Sequence, residues 1–302
     1  MSLTRYKKFC YNAFGKFTQD SVTEKLKRDI LRADLNIRPE AYLAYVWMNS
    51  LLSVVFTFAI LITLCFILPA FGINILPNFL SKPSESVLKF LLLVFLSFGV
   101  GIIVYASLIN YPSSRAIRRS KNIDHNLPYA LSFIAAMASA GVPPHEIFVS
   151  LSKQKAYGEI RNEALKIAKD IKLLGLDMIS ALKRAVEKTP SARFRDFLQG
   201  AIITVATGGS LKSYFMEKAE QYMRENRIEQ KRFLDSLGVM AEAYVTVAVA
   251  GPLLIMVVVP LLIIISQSSS HLPLLYAFIG LIFPLIHICF SMMIKLATPT
   301  EV

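Results

Sequence analysis

Three long stretches of this chain carry no Asp, Glu, Lys or Arg: residues 41–81, 90–114 and 243–294. A bilayer core about 30 Å thick is crossed by about 20 apolar helical residues. The first stretch holds one such span, 47–68, and the second holds another, 90–110. The third is long enough for two, 243–266 and 272–294, separated by the polar run Gln-Ser-Ser-Ser-His at 267–271. Core helices of soluble proteins are amphipathic, whereas these runs are apolar on every face. The pattern therefore predicts four transmembrane helices, with short connections near 69–88 and at 267–271.

Between and before these runs the apolar residues recur at helical spacing. Val22, Leu26, Ile30 and Ala33 form a stripe over 21–35 with charges opposite, and Asn36–Pro39 ends it. In 111–242 glycines, prolines and capping residues punctuate six amphipathic helices. The first covers 126–140 with Leu127, Leu131, Ile134 and Ala138 on one face, and Gly141 closes it. Pro143 and Pro144 open the second, with Glu146 in its first turn. The third spans 158–174 and Gly175 ends it. Asp177 caps the fourth, Thr189-Pro190 breaks it, and Ser191 caps the fifth. Gly208-Gly209 stops the fifth, and Ser210 caps a sixth that meets no Pro or Gly until Gly238. Three segments starting at Gly141, Gly175 and Gly208 share the order glycine, turn, helix start, which either a repeat or ordinary turn chemistry explains.

The expected fold is an all-α membrane protein: four transmembrane helices plus a cytoplasmic antiparallel six-helix bundle. Its parts are a cytoplasmic N-terminal amphipathic region (1–46), helices one and two (47–110), the bundle (111–242), helices three and four (243–296), and a cytoplasmic tail (297–302). The first 40 residues are charged and show no cleavable leader pattern.

Charge fixes the expected orientation. The net charge is +12, and of 33 Lys and Arg all but Lys82 and Lys89 lie in 1–46, in 111–242 or at Lys295. Basic residues mark the cytoplasmic flanks of spans, so both termini and the bundle are expected in the cytoplasm. Each basic residue near an anionic lipid surface adds about 1 kcal/mol of attraction. Nucleic acid is not an expected partner, because the basic residues of the bundle alternate with acidic ones and no basic patch with stacking aromatics stands out.

The order of two spans, a helical domain and two closing spans, with Ala140-Gly-Val-Pro-Pro144 and Thr207-Gly-Gly-Ser-Leu211 inside the domain, resembles the type II secretion system F domain family. Members are inner-membrane platform proteins of secretion systems, type IV pili and archaella, including Tad-type systems. The resemblance covers about residues 20–296. It implies a non-enzymatic platform in the cytoplasmic (inner) membrane that couples a hexameric secretion ATPase to filament assembly or secretion. Implied partners are that ATPase, prepilin-like filament subunits, membrane lipids, and a second platform subunit in a homodimer or a heterodimer. Many members carry two helical domains where this chain has one.

Candidate chemistry is sparse. Gly208-Gly209 lacks the phosphate-loop spacing and the following Lys-Ser/Thr, so no ATP hydrolysis, catalytic residue, cofactor or metal site is expected. Cys10, Cys65 and Cys289 have no ligand spacing. A small transporter or channel would need polar groups converging in the spans, and mainly Asn49, Ser53, Thr57, Thr63 and Ser97 are available. His287 in the last span reads as a neutral ring bonded to a neighbouring helix. Glu242 reads as an interfacial carboxylate. Pro252 and Pro260 are expected to kink the third span and Pro284 the fourth. The sixth helix offers a charged face, Glu217, Glu220, Arg224, Arg227, Lys231 and Arg232, as a candidate ATPase dock. Gly141, Pro143, Pro144, Gly208, Gly209, Pro252 and Pro260 are the candidate hinge or structural positions.

Overall fold

The structure, a computed structural model, describes residues 5–18, 21–67, 83–266 and 276–297. The connections 69–82 and 267–271, His271 and the tail beyond Ala297 lie outside the described residues. Among the described residues the fold is all helical, without strands. Four helices are long and apolar enough to cross a membrane, so the all-α membrane class holds. The chain divides into two units, 1–216 and 217–302.

The first unit begins with α1 (Arg5–Thr18), α2 (Glu24–Arg32), α3 (Pro39–Ile67) and α4 (Pro83–Ser139). Sequence reading placed a span at 90–110, a loop reaching to 88 and a separate helix from 126. The structure instead has one 57-residue helix starting at Pro83, about 85 Å long at 1.5 Å per residue. It passes through Pro112 and Pro128. A proline inside a helix frees the carbonyl four residues earlier. At Pro112 that carbonyl belongs to Leu108, and it accepts the Tyr42 hydroxyl at 2.6 Å. The side chain of one span thus satisfies the backbone of the next, and the helix continues.

Close approach supports the same pairing. A Cβ on Gly101 of α4 would clash with Val54 Cγ2 of α3, so a glycine is what lets these two apolar helices touch. Small residues serve this purpose in lipid, where no hydrophobic effect drives helices together. Just before the span, Leu26 and Ile30 of α2 pack with Tyr42, Leu43 and Val46 of α3. The helix over 21–35 is shorter than its stripe suggested, and Asp34 at φ 55° turns the chain after it.

The helical domain follows as α5 (Pro144–Lys153), a 3-10 turn (Lys155–Tyr157), α6 (Glu159–Lys172), α7 (Met178–Lys188), α8 (Ala192–Ala206) and the start of α9 (Leu211–Tyr244). Helices this short are marginal alone and are held by burial of their apolar stripes. Leu127, Leu131, Ile134, Ile147, Phe148, Leu151, Ile160 and Ile167 are fully or almost fully buried. Phe194, Phe197 and Phe215 are equally buried, with ring centroids 5.6 Å apart between Phe197 and Phe215. The caps form as read: Asp177 Oδ2 accepts the Ser180 N–H, and Ser191 Oγ accepts that of Phe194. Ser191 also donates to Asp124 of α4 at 2.5 Å, which pins the start of α8 to α4.

The second unit contains most of α9, α10 (Gly251–Ser266) and α11 (Phe283–Ala297). A π-helical turn, Val245–Ala250, separates α9 from α10, and another, Phe278–Ile282, precedes α11. Each ends two residues before a proline, Pro252 and Pro284 respectively. A π turn inserts one extra residue, which relieves the clash of the proline ring with the preceding turn. Pro260 lies inside α10, which continues through it.

Candidate docking surface

Two glycine turns of the helical domain have the same construction. Gly141 follows α4 at φ 79°, with its N–H on the Ala138 carbonyl and that of Val142 on Met137. Gly208 follows α8 at φ 73°, with its N–H on Val205 and that of Gly209 on Thr204. This paired pattern satisfies carbonyls that the helix end leaves free, and it places the glycine in the left-handed region. A Cβ at either position would meet nothing within 4 Å, so backbone conformation alone demands glycine there. Pro143 occupies the N-cap position of α5 and Pro144 its first turn. Lys212 Nζ donates to the Ser139 carbonyl at 3.4 Å, which brings both turns to one end of the domain.

From that end α9 runs 34 residues, about 50 Å. Along it Glu217, Glu220, Arg224, Arg227 and Lys231 recur at gaps of three, four, three and four. Such spacing puts them on one stripe, and all five are exposed, as is Arg232 beside them. Acidic residues come first and basic ones after. The expected Glu220–Arg224 pair forms at 2.8 Å between side chains 76% and 67% exposed. The apolar Ile228, Leu234 and Val239 further along are exposed too. Glu242 is exposed near the end of α9, and its carbonyl accepts the Thr246 hydroxyl.

A second charge cluster escaped the sequence reading, which counted Arg119 only among the Lys and Arg of 111–242. Its side chain is 7% exposed and bonds Glu163 Oε1 at 2.6 Å and Glu159 Oε2 at 2.9 Å. Its third bond, at 2.6 Å, goes to the carbonyl of Arg32, the last residue of α2. Lys166 adds bonds to Glu163 at 3.2 Å and to Asp34 at 3.0 Å. Asn122 Oδ1 accepts the Glu159 N–H at the start of α6. Burial disfavours the charged guanidinium, but the Glu159 hydrogen bond and the charges of Glu163, Glu159 and Asp34 outweigh it and raise the Arg119 pKa. The cluster therefore ties the segment before the first span, the helix of the second span and α6 into one body. One sequence signal points to it: Glu163 falls on the buried stripe with Ile160, Ala164 and Ile167, where a carboxylate needs a buried cation.

The polar residues of the spans are satisfied locally. Asn49, Thr57, Thr63 and Ser97 all donate to carbonyls of their own helices. His287 differs from expectation in its partner: Nδ1 bonds the Phe283 carbonyl of its own helix at 3.0 Å. Its ring packs edge-on against Tyr244, 5.8 Å away.

Comparison with known proteins adds a similarity over part of the chain. Residues 130–259 match the model of the type II secretion system protein F. An uncharacterized protein of Methanocaldococcus jannaschii, MJ1286, is 34% identical over 163 residues, 53% of this chain and 27% of its own length. A second uncharacterized protein of that organism, MJ0780, is 28% identical over 146 residues, 47% of this chain and 43% of its length. Its flagella accessory protein J is 24% identical over 146 residues, 48% of this chain and 26% of its length. The match thus spans less than half of each of these relatives. No solved structure matches. The matched region starts in the C-terminal part of α4, takes in α5 to α9 and ends in α10, and over these residues the chain is similar to type II secretion system protein F.

Proposed function

We propose that this protein is a non-catalytic platform of the cytoplasmic (inner) membrane that couples a hexameric secretion ATPase to assembly of a type IV pilus-like filament or to secretion. Proteins of this family work with secretion ATPases and pilin-like subunits, and the similarity to a flagella accessory protein favours an archaellum-type setting. In this reading both termini and the helical domain face the cytoplasm, as the distribution of Lys and Arg favours. Prepilin-like subunits meet the membrane helices, and the platform acts as a homodimer or beside a related platform subunit.

The observation that carries the reading is α9. It is one uninterrupted helix from the glycine turn at Gly208 to Tyr244, followed directly by a π turn and a membrane helix. Force applied to an exposed charged stripe on such a helix reaches the bilayer without crossing a loop. The glycine turns at Gly141 and Gly208 and the π turns beside Pro252 and Pro284 are among the positions where the backbone departs from α-helix, and in this reading they act as its hinges. A photoreactive residue placed at Arg227 in the full-length protein tests it in cells. Cross-linking to the secretion ATPase is the expected result. Cross-links only to proteins of the outer face would overturn the reading.

A further inference from the structure

The helix α1 has no part in the reading above, yet its composition and placement are specific. It holds Arg5, Lys7, Lys8 and Lys16, and no acidic residue. Arg5, Lys8, Asn12 and Lys16 recur at gaps of three, four and four, and Phe9, Ala13 and Phe17 recur at gaps of four on the neighbouring stripe. A basic edge beside an aromatic edge is the pattern of a helix lying in the headgroup layer. One face of α1 is docked on α3: Cys10 is fully buried, Thr18 donates to the Glu40 carbonyl and Tyr6 to Asn49. The Phe14 ring meets Trp47, with centroids 6.3 Å apart. These contacts fall where the uncharged run of α3 begins, at the expected water–hydrocarbon boundary. The outer face is open, with Phe9 61% and Tyr6 42% exposed. Beside α1 an apolar groove of about 440 Å³ opens between α3 and α4, lined by Phe14, Trp47, Val54, Phe98, Gly101 and Tyr105 among others.

We propose that α1 is an interfacial anchor whose basic composition draws it to anionic lipid headgroups while the exposed Phe9 enters the acyl layer. Two arguments on charge and position select this occupant. A helix with four cations and no anion is complemented by the negative surface of an anionic leaflet, and its neighbouring aromatic residues suit the acyl boundary. And α1 packs along α3 where its uncharged run begins, with Phe14 on Trp47 and Tyr6 on Asn49, so a bilayer crossed by α3 would meet the exposed Phe9 beside it.

Trp47 is the only tryptophan in the chain, so the test is spectroscopic. A Trp47→Phe/Phe9→Trp protein is reconstituted at full length into nanodiscs of anionic or zwitterionic phospholipid with brominated acyl chains. The expected result is blue-shifted emission from position 9 that bromine quenches in the anionic discs. Quenching should fall about threefold in zwitterionic discs and in an Arg5→Glu/Lys8→Glu/Lys16→Glu background, because each basic residue contributes to surface attraction. In that background with native Trp47 and Phe9, unchanged Trp47 emission shows that α1 still packs on α3. Equal quenching in both lipids would overturn the headgroup assignment. Absence of quenching would overturn the proposal outright, with red emission indicating water around Phe9 and blue emission indicating a protein partner or second copy.

Discussion

Two arginines of this protein have the same kind of partner and opposite surroundings. Arg119 is 7% exposed and holds two carboxylates and a helix-end carbonyl. Arg224 is 67% exposed and holds Glu220 one turn away on its own helix. Breaking a buried pair strands a charge in low dielectric, whereas an exposed pair returns both partners to water. The first cluster is therefore part of the fold, and the second is a surface that can exchange partners. In the proposed function, the same distinction separates residues that hold the first unit together from residues offered to a partner.

The largest effect expected from breaking the comparison is at Arg119. Arg119→Ala leaves Glu163 buried without its cation and should cost about 3–5 kcal/mol in a thermal or denaturant melt. Arg119→Met combined with Glu163→Leu removes both charges and should recover most of that loss. If the double variant is no better than the single, the cost is packing and not stranded charge. The half-exposed bridge from Lys166 to Asp34, 30% and 43% exposed, sharpens the scale. Asp34→Asn keeps the turn and removes the bridge, and should cost about 0.5–1 kcal/mol.

Protonation gives a smaller test. The Ser180 hydrogen bonds hold the Asp177 carboxyl below its ordinary value at the start of α7. A depressed folded pKa stabilises above the unfolded value of 3.8 and is lost as pH falls through the folded value. The protection of the first-turn amides of α7 against hydrogen exchange, relative to their intrinsic rates, should therefore fall in acid, and Asp177→Asn should abolish that fall. Arg119 behaves oppositely: its pKa is raised, so its contribution is fully present below the ordinary guanidinium value and is lost only as pH rises through the still higher folded value. Its charge does not titrate in any ordinary buffer. The smallest stability effect belongs to Arg224→Glu/Arg227→Glu, at or below about 0.5 kcal/mol.

The legibility of this chain follows the range of the forces involved. The four spans, the caps at Asp177 and Ser191 and the stops at Gly141 and Gly208 are local, because a few adjacent residues decide them. Glu220–Arg224 is local too, one helical turn. The continuity of α4 through Pro112 was not legible, because it depends on Tyr42 seventy residues earlier supplying the missing hydrogen bond. The Arg119 cluster draws on α2, α4 and α6, and only Glu163 on an apolar stripe hinted at it. The His287 bond to its own helix was within reach of the sequence, since Phe283 is four residues away. The π turns mark where the chain accommodates Pro252 and Pro284, which sequence reading expected to kink the helices.

Binding of the secretion ATPase to the full-length protein in nanodiscs tests the account most directly. Arg224→Glu/Arg227→Glu should weaken that binding at least about tenfold, the loss of about 1.4 kcal/mol, while the melting temperature stays at the wild-type value. Equal ATPase affinity for variant and wild type would contradict it.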